Sequence, residues 1–356
     1  MLKSHRLDQV LPGTHVSSPP TDPGLMAKAC NNAILGQVIE AARELGLFEA
    51  LIENDQLQVD EFCSRSAPQL RAEVIEHIAN LLTGVGVLSS PALGTYMKGP
   101  KMEEVLRDLG YGAWLLRACR TLISDIGGYA VTGSHERAVY SRDGRATAES
   151  SAMIGVHHVD PIMYPFINEV PFRTVCDLGC GSAQRIRRLV RDAPGAQAIG
   201  VEINADAVQS ARKGVSDVGL GNSIQIIEGD VTRMSTIQNH LRDVDLLLMC
   251  FMGHDLWPRE RVEAVFRSFH VVFPKCRRFV FADTVRGERV PWDSMPNFQV
   301  GFELIHALQG QQIPDLQDWD QVFDATGWNV RKRRPLGVPN TYVFDLAPAE
   351  RKCYAI

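Results

Sequence analysis

No stretch of this sequence approaches the roughly 20 consecutive apolar residues that a membrane-spanning helix needs. Positive charge is not in excess either. With 37 Lys and Arg against 42 Asp and Glu the net charge is −5, which removes any electrostatic case for nucleic acid or an anionic membrane as partner. The eight cysteines (30, 63, 119, 176, 180, 250, 276 and 353) include no Cys-x-x-Cys pair and no zinc-finger spacing. They read as reduced, mostly buried thiols of a cytoplasmic protein. Internal repeats and low-complexity tracts are missing. So is an apolar signal core near the start, where Asp8, Pro12 and His15 stand instead, and export is not expected. What is present is an ordinary soluble composition, 45% hydrophobic and 22% charged, in 356 residues, with room for two domains of ~150 residues.

The stretch that organises the chain runs from Val175 to Ser182: an apolar lead-in, the acid Asp177, then a turn holding Gly179 and Gly181, and a helical pattern from Arg185 to Val190. Strand, glycine turn and helix in that order form a cradle where backbone approaches a ligand closely and free helix N–H groups face it. The third glycine of a dinucleotide fingerprint is missing, since Gln184 stands there, which argues against a pyrophosphate. A second buried strand, Ala198 to Val201, ends in Glu202, 25 positions after Asp177, suited to accept hydrogen bonds from ribose hydroxyls. A third, Ile224 to Ile227, leads to Asp230 and Val231, placed to meet an adenine. Acid–Gly-x-Gly, then Glu, then Gly-Asp resembles the S-adenosylmethionine cradle of class I methyltransferases. The fold class expected is therefore α/β, a class I methyltransferase (Rossmann-like) sheet.

Residues 1–24, rich in Pro, Ser and Thr, read as a mobile arm. In 25–100, helical patterns at Ala27–Phe48, Val59–Ser64 and Gln69–Thr83 precede two short strands, the order of a winged helix. Leu70, Val74, Ile78, Leu81 and Leu82 are expected on one buried face. The recognition position sets Arg71 against Glu73 and Glu76, so dimerisation is expected here, and DNA binding is not. Residues 101–168 give linking helices, Met102–Leu109, Gly112–Ile126 and Ala146–Ile167, the last broken by Pro161 and Pro165; they are expected to contribute to the active site. Residues 169–356 alternate β and α and close with a hairpin, Asn329–Arg334 with Thr341–Leu346: a doubly wound sheet.

Chemistry is expected beyond the strand carboxyl ends. His254 and Asp255 leave the fourth strand, Val244–Phe251, and His306 lies on a helix after the fifth, Phe279–Ala282. Two imidazoles converging there suit a metal pair, or a base with a structural histidine. The layout resembles the plant and polyketide O-methyltransferases, except that His254-Asp255-Leu256-Trp257 carries one residue more than their His-Asp-Trp. The segments Cys250–Glu260, Gly301–His306 and Asp318–Phe323 are more similar to the α-keto acid C-methyltransferases of bacterial amino-acid and antibiotic biosynthesis. Members of that family act on phenylpyruvate in mannopeptimycin assembly and on ketoarginine in pseudomonads.

That resemblance implies a homodimeric enzyme that binds S-adenosylmethionine and one metal ion, iron or zinc, and methylates C3 of a small 2-oxo acid through a chelated enolate. His254 and His306 would be the metal's protein ligands. Arg142 matches the residue that clamps the substrate carboxylate, a task its planar fork suits. Asp255 would orient His254 or relay the proton. The polar run after His306, with Gln309, Gln311, Gln312 and Asp315, inclines the substrate toward 5-guanidino-2-oxopentanoate (ketoarginine) over phenylpyruvate or a branched-chain 2-oxo acid. The competing expectations are a metal-free O-methyltransferase with His254 as base, and a winged-helix regulator with a degenerate methyltransferase fold.

Overall fold

A computed structural model of the chain describes residues 24–66, 68–134, 137–138 and 141–349. The arm expected over 1–24 lies, Gly24 apart, outside them. Two compact units divide after Pro100.

The first unit holds helices Gly24–Glu44, Leu47–Asn54, Val59–Arg65 and Ala72–Gly84. With them goes a three-stranded antiparallel sheet of β1 (Gln56–Gln58), β2 (Leu88–Ala92) and β3 (Thr95–Lys98), in the order β1-β3-β2. The sequence reads one helix through Phe48, but Gly46 in the left-handed region at φ 79 ends it and starts another. β1 escapes notice because it is only Gln-Leu-Gln, with Leu57 alone turned inward opposite Tyr96. The fourth helix also turns a different face inward. Ile75, Ala79 and Leu82 are buried, whereas Val74 and Leu81 are 40% and 51% exposed. Both stripes satisfy helical spacing, so an apolar helix leaves its own phase open.

The second unit begins with the helix Met102–Ala113, which runs straight into a π-helical turn at Trp114–Ala118. A second π-helical turn, Gly155–Val159, joins helices Gly144–Ile154 and Asp160–Asn168. Neither proline breaks the last helix. Pro161 occupies its first turn, where a missing N–H is harmless, and Pro165 sits inside it.

The large sheet comprises β4 (Thr174–Leu178), β5 (Gln197–Glu202), β6 (Ile224–Glu228), β7 (Leu246–Cys250), β8 (Arg278–Thr284), β9 (Trp328–Pro335) and β10 (Thr341–Pro348). Their order is β6-β5-β4-β7-β8-β10-β9, parallel from β6 to β8, with β10 antiparallel to both its neighbours. The chain winds outward from β4 through β5 to β6, then returns to β7 on the other side. That reversal opens a crevice at the carboxyl ends of β4 and β7. Both faces are covered, so β7 and the Phe279–Ala282 centre of β8 read as apolar runs. Arg278 is a buried exception. It pairs with Asp345 at 3.0 Å and donates to the carbonyls of Phe166 and Ile167, tying the helix Asp160–Asn168 to the sheet. No helix among the described residues is long and apolar enough to cross a membrane.

Candidate active site

The turn after β4 is shaped by one close approach. Gly179 has φ +70 and its N–H donates to the Val201 carbonyl at 2.8 Å; a Cβ there would lie 2.8 Å from Met252 Sδ. Only glycine accepts both demands. The Gly181 N–H then donates to Glu202 Oε2 at 3.0 Å, and Asn204 N–H to Glu202 Oε1 at 2.9 Å, so the ends of β4 and β5 are pinned together. Gly229 N–H donates to the Glu202 carbonyl, which sets the end of β6 alongside. Asp230 caps the short helical turn that starts at Val231, accepting from the Thr232 N–H at 2.8 Å and from its hydroxyl at 2.7 Å. Asp177, Gly179, Gly181, Glu202, Asp230 and Val231 thus line neighbouring strand ends. Burial pushes the Asp177 carboxyl up to about 6.

Across the crevice, His254 opens a helical turn after β7 and His306 sits on the helix Gln299–Leu308. Their rings meet edge to face, centroids 4.9 Å apart, and both are buried. Asp283, at the end of β8 and fully buried, fixes His254 twice: Oδ2 accepts from its backbone N–H at 2.8 Å and Oδ1 lies 2.6 Å from Nδ1. Gly253 makes room for this, since a Cβ there would come within 2.7 Å of Asp283 Oδ2 and 2.5 Å of the Phe281 ring. His306 Nδ1 lies 2.7 Å from the Phe302 carbonyl, one helical turn back. Acceptors at both Nδ1 atoms require N–H there, so a neutral ring at either position carries its free lone pair on Nε2. The Nε2 of His306 has no hydrogen-bond partner among the described residues.

Asp255 completes the group. One ligand atom from each of His254, Asp255 and His306 lies within 4.8 Å of the others. Asp255 Oδ1 is 3.9 Å from His254 Nε2 and accepts from Gln311 Nε2 at 3.1 Å. The orienting partner of His254 is therefore Asp283, and Asp255 stands on the side of the free lone pairs. Burial opposes a charged His254, but Asp283 and Asp255 outweigh it and push the imidazole up to about 9. Burial, and then the His254 charge, press His306 well below its usual value. Burial works against the Asp255 carboxylate, yet His254, Arg142 and His306 hold it below the usual range. Arg142 acts on all three groups and has no ion pair or hydrogen bond of its own among the described residues.

Aromatic rings surround the pair. Trp114, in the first π-helical turn, stacks on His306 at 6.2 Å and 13°, and Phe302 lies 4.2 Å from His306 and 5.2 Å from His254. Phe298 packs on Trp114 at 4.9 Å. Sequence reasoning ends the fifth strand at Asp283 without giving it a role, and misses Gln311, Trp114 and Phe302 as neighbours. An acid at the carboxyl end of a buried strand was the available signal for Asp283; for the others there is none.

A family model described as a methyltransferase domain matches residues 175–275. The chain is 31% identical over 345 residues to methyltransferase ungE' of Aspergillus campestris, covering 94% of this chain and 99% of that one. It is 30% identical over 334 residues to indolepyruvate C-methyltransferase of Streptomyces griseus, covering 92% and 96%. Among solved structures, human N-acetylserotonin methyltransferase with bound S-adenosylmethionine shares the fold at a TM-score of 0.69 and 16% identity, over 94% of this chain and 99% of that one. PigF with S-adenosylhomocysteine does so at 0.69 and 17%, over 92% and 99%.

Proposed function

The chain belongs to the α-keto acid C-methyltransferase family of S-adenosylmethionine-dependent enzymes, and from that premise we propose that it methylates C3 of an aromatic 2-oxo acid. The observation that carries this is the convergence of two free Nε2 lone pairs and one carboxylate at His254, His306 and Asp255. Two imidazoles with oxygen donors suit a first-row ion such as iron or zinc. The fit is specific: the Asp283 carboxylate and the Phe302 carbonyl hold each ring in the tautomer a ligand needs. Bound there, the ion would act as a Lewis acid toward a keto oxygen.

The chain's own groups do the rest. Arg142 forks onto the substrate carboxylate. Asp255, kept ionised by its cationic neighbours and held by Gln311, accepts the C3 proton. C3 then forms a bond to the donor methyl as the sulfonium C–S bond breaks. Trp114, Phe298 and Phe302 flank the side chain and keep water away. A general-base O-methyltransferase asks less of this geometry, because it leaves His306 without a task.

Asp177, Gly179, Gly181, Glu202, Asp230 and Val231 would hold the donor. Because Asp177 ionises only near pH 6, donor affinity depends on pH in a defined direction. Above that value its carboxylate faces the cationic donor. Below it the group is neutral, and S-adenosylmethionine affinity is expected to fall by up to about tenfold per pH unit. Calorimetry across that range checks this, and Asp177→Asn should flatten the dependence.

The first helix leaves Leu25, Met26 and Ile34 81%, 75% and 60% exposed, which supports the homodimer expected from the sequence.

The substrate side chain turns on what surrounds the histidines. Of the polar run that suggested ketoarginine, Gln311 Nε2 holds Asp255, while Asp315 caps the helix Leu316–Thr326 and pairs with Arg286 at 2.8 Å. Flat rings flank the pair instead, and the relative from Streptomyces griseus is named for indolepyruvate. Comparing kcat/KM for indolepyruvate, phenylpyruvate and 5-guanidino-2-oxopentanoate tests the assignment. The aromatic acids are expected to lead by at least about tenfold, the scale of one well-filled apolar site. The reverse order would return the assignment to ketoarginine.

A further inference from the structure

Tyr111, in the last turn of the helix Met102–Ala113, is 5% exposed, and its hydroxyl has no hydrogen-bond partner among the described residues. The polar groups close to it are spent on one another. His158, whose ring lies 5.0 Å from that of Tyr111, has its Nε2 3.0 Å from Asp108 Oδ1 and 3.3 Å from the Arg107 carbonyl. Burial, and then Asp108, push the phenol well above its usual value, so it stays neutral and can both donate and accept. A buried hydroxyl left unmet is costly, and phenylalanine would fill the same space without that penalty. The Tyr111 ring also meets the aromatic wall beside the histidines. Its centroid is 5.1 Å from that of Phe298, which lies 5.2 Å from Phe302, itself 4.2 Å from His306. Phe298, Phe302 and His306 recur at intervals of four and so share one side of the helix Gln299–Leu308. Phe298, just before that helix, is held at φ 76 and ψ −36, which a bulky side chain rarely adopts. Such strain persists where surrounding contacts enforce it, as at ligand clamps.

We propose that the Tyr111 hydroxyl accepts a hydrogen bond from the N–H of an indole ring seated against Phe298 and Phe302, and so selects indolepyruvate among aromatic 2-oxo acids. This rests on the aromatic 2-oxo acid reading and narrows it to one side chain. Flat apolar rings recognise an aryl group through burial and stacking, and they do not tell an indole from an equally large ring system without the N–H. A hydroxyl with no protein partner makes that distinction. The indole N–H gives it one, whereas an apolar ring edge leaves it buried and unmet. Tyr111 is a specificity-determining residue, apart from the histidine pair and from the transfer of the methyl group.

The test compares indolepyruvate with its benzothiophene analogue, in which sulfur replaces the N–H and the two-ring shape is kept. The full chain, with S-adenosylmethionine and iron or zinc, is assayed for C3 methylation of each acid. The wild type is expected to prefer indolepyruvate by about tenfold or more in kcat/KM, as for one buried hydrogen bond. In Tyr111→Phe, which keeps the ring and loses only the hydroxyl, that ratio should fall to within about threefold, the loss appearing in KM for indolepyruvate. The wild-type ratio needs no variant, so it decides the matter if Tyr111→Phe does not fold. A wild type that takes both acids equally overturns the proposal. So does a folded Tyr111→Phe that lowers both in proportion, as the loss of a packing residue would. A wild type that methylates neither acid at C3 removes the aromatic 2-oxo acid reading and this one with it, whereas equal turnover of both leaves that reading standing.

Discussion

Replacing His306 by alanine is expected to lower methyl transfer by about a thousandfold or more and to abolish metal retention, while S-adenosylhomocysteine still binds. The His306 Nδ1 is committed to the Phe302 carbonyl, its Nε2 has no partner among the described residues, and the residue is fully buried. A structural histidine would bury a polar nitrogen only to leave it unsatisfied, at a cost of about 1–3 kcal/mol. A ligand needs the lone pair in that place. His254→Ala should match the loss, because neither imidazole alone makes a chelate. Elemental analysis of the purified variants and turnover with added iron or zinc measure both effects. If His306→Ala keeps activity within tenfold, or the wild type turns over fully when stripped of metal, the chelate account fails and the general-base account takes its place.

Arg142→Gln is expected to reduce kcat/KM by about 100- to 1000-fold, chiefly through KM, because removing one partner of a desolvated charge pair costs about 2–5 kcal/mol. Arg142 is the cation that acts on His254, Asp255 and His306 together without an ion pair among the described residues. Arg142→Lys should recover only part of the loss, since an ammonium cannot fork. Steady-state kinetics on an aromatic 2-oxo acid separate these outcomes. A small, equal effect from both variants would leave Arg142 as a bystander.

What could be read from the sequence was local. The order of strand, glycine turn and helix was visible because the three are contiguous, and Glu202 and Asp230 lie at or just past the ends of the next two strands. His254 and His306 were visible because each sits in a segment with a family resemblance. What escaped depends on strand pairing and helix phase. Asp283 reaches His254 from 29 residues away because β7 and β8 lie side by side, with Gly253 leaving room between them. Arg185 stands in a run with Arg187, Arg188 and Arg191, and only the fold brings its Nη1 to 3.7 Å from Asp177. That Gln311 donates to Asp255 was not legible in the run of glutamines after His306, because the contact spans 56 positions.

The central claim is the position of the new bond, and one experiment addresses it directly. The enzyme, loaded with iron or zinc, is given S-adenosylmethionine carrying a 13C methyl group and indolepyruvate or phenylpyruvate, and the product is read by NMR. The account predicts a labelled methyl carbon coupled to C3 of the 2-oxo acid, with one C3 hydrogen lost. A labelled methyl group on oxygen, as an enol ether or an ester, would contradict it.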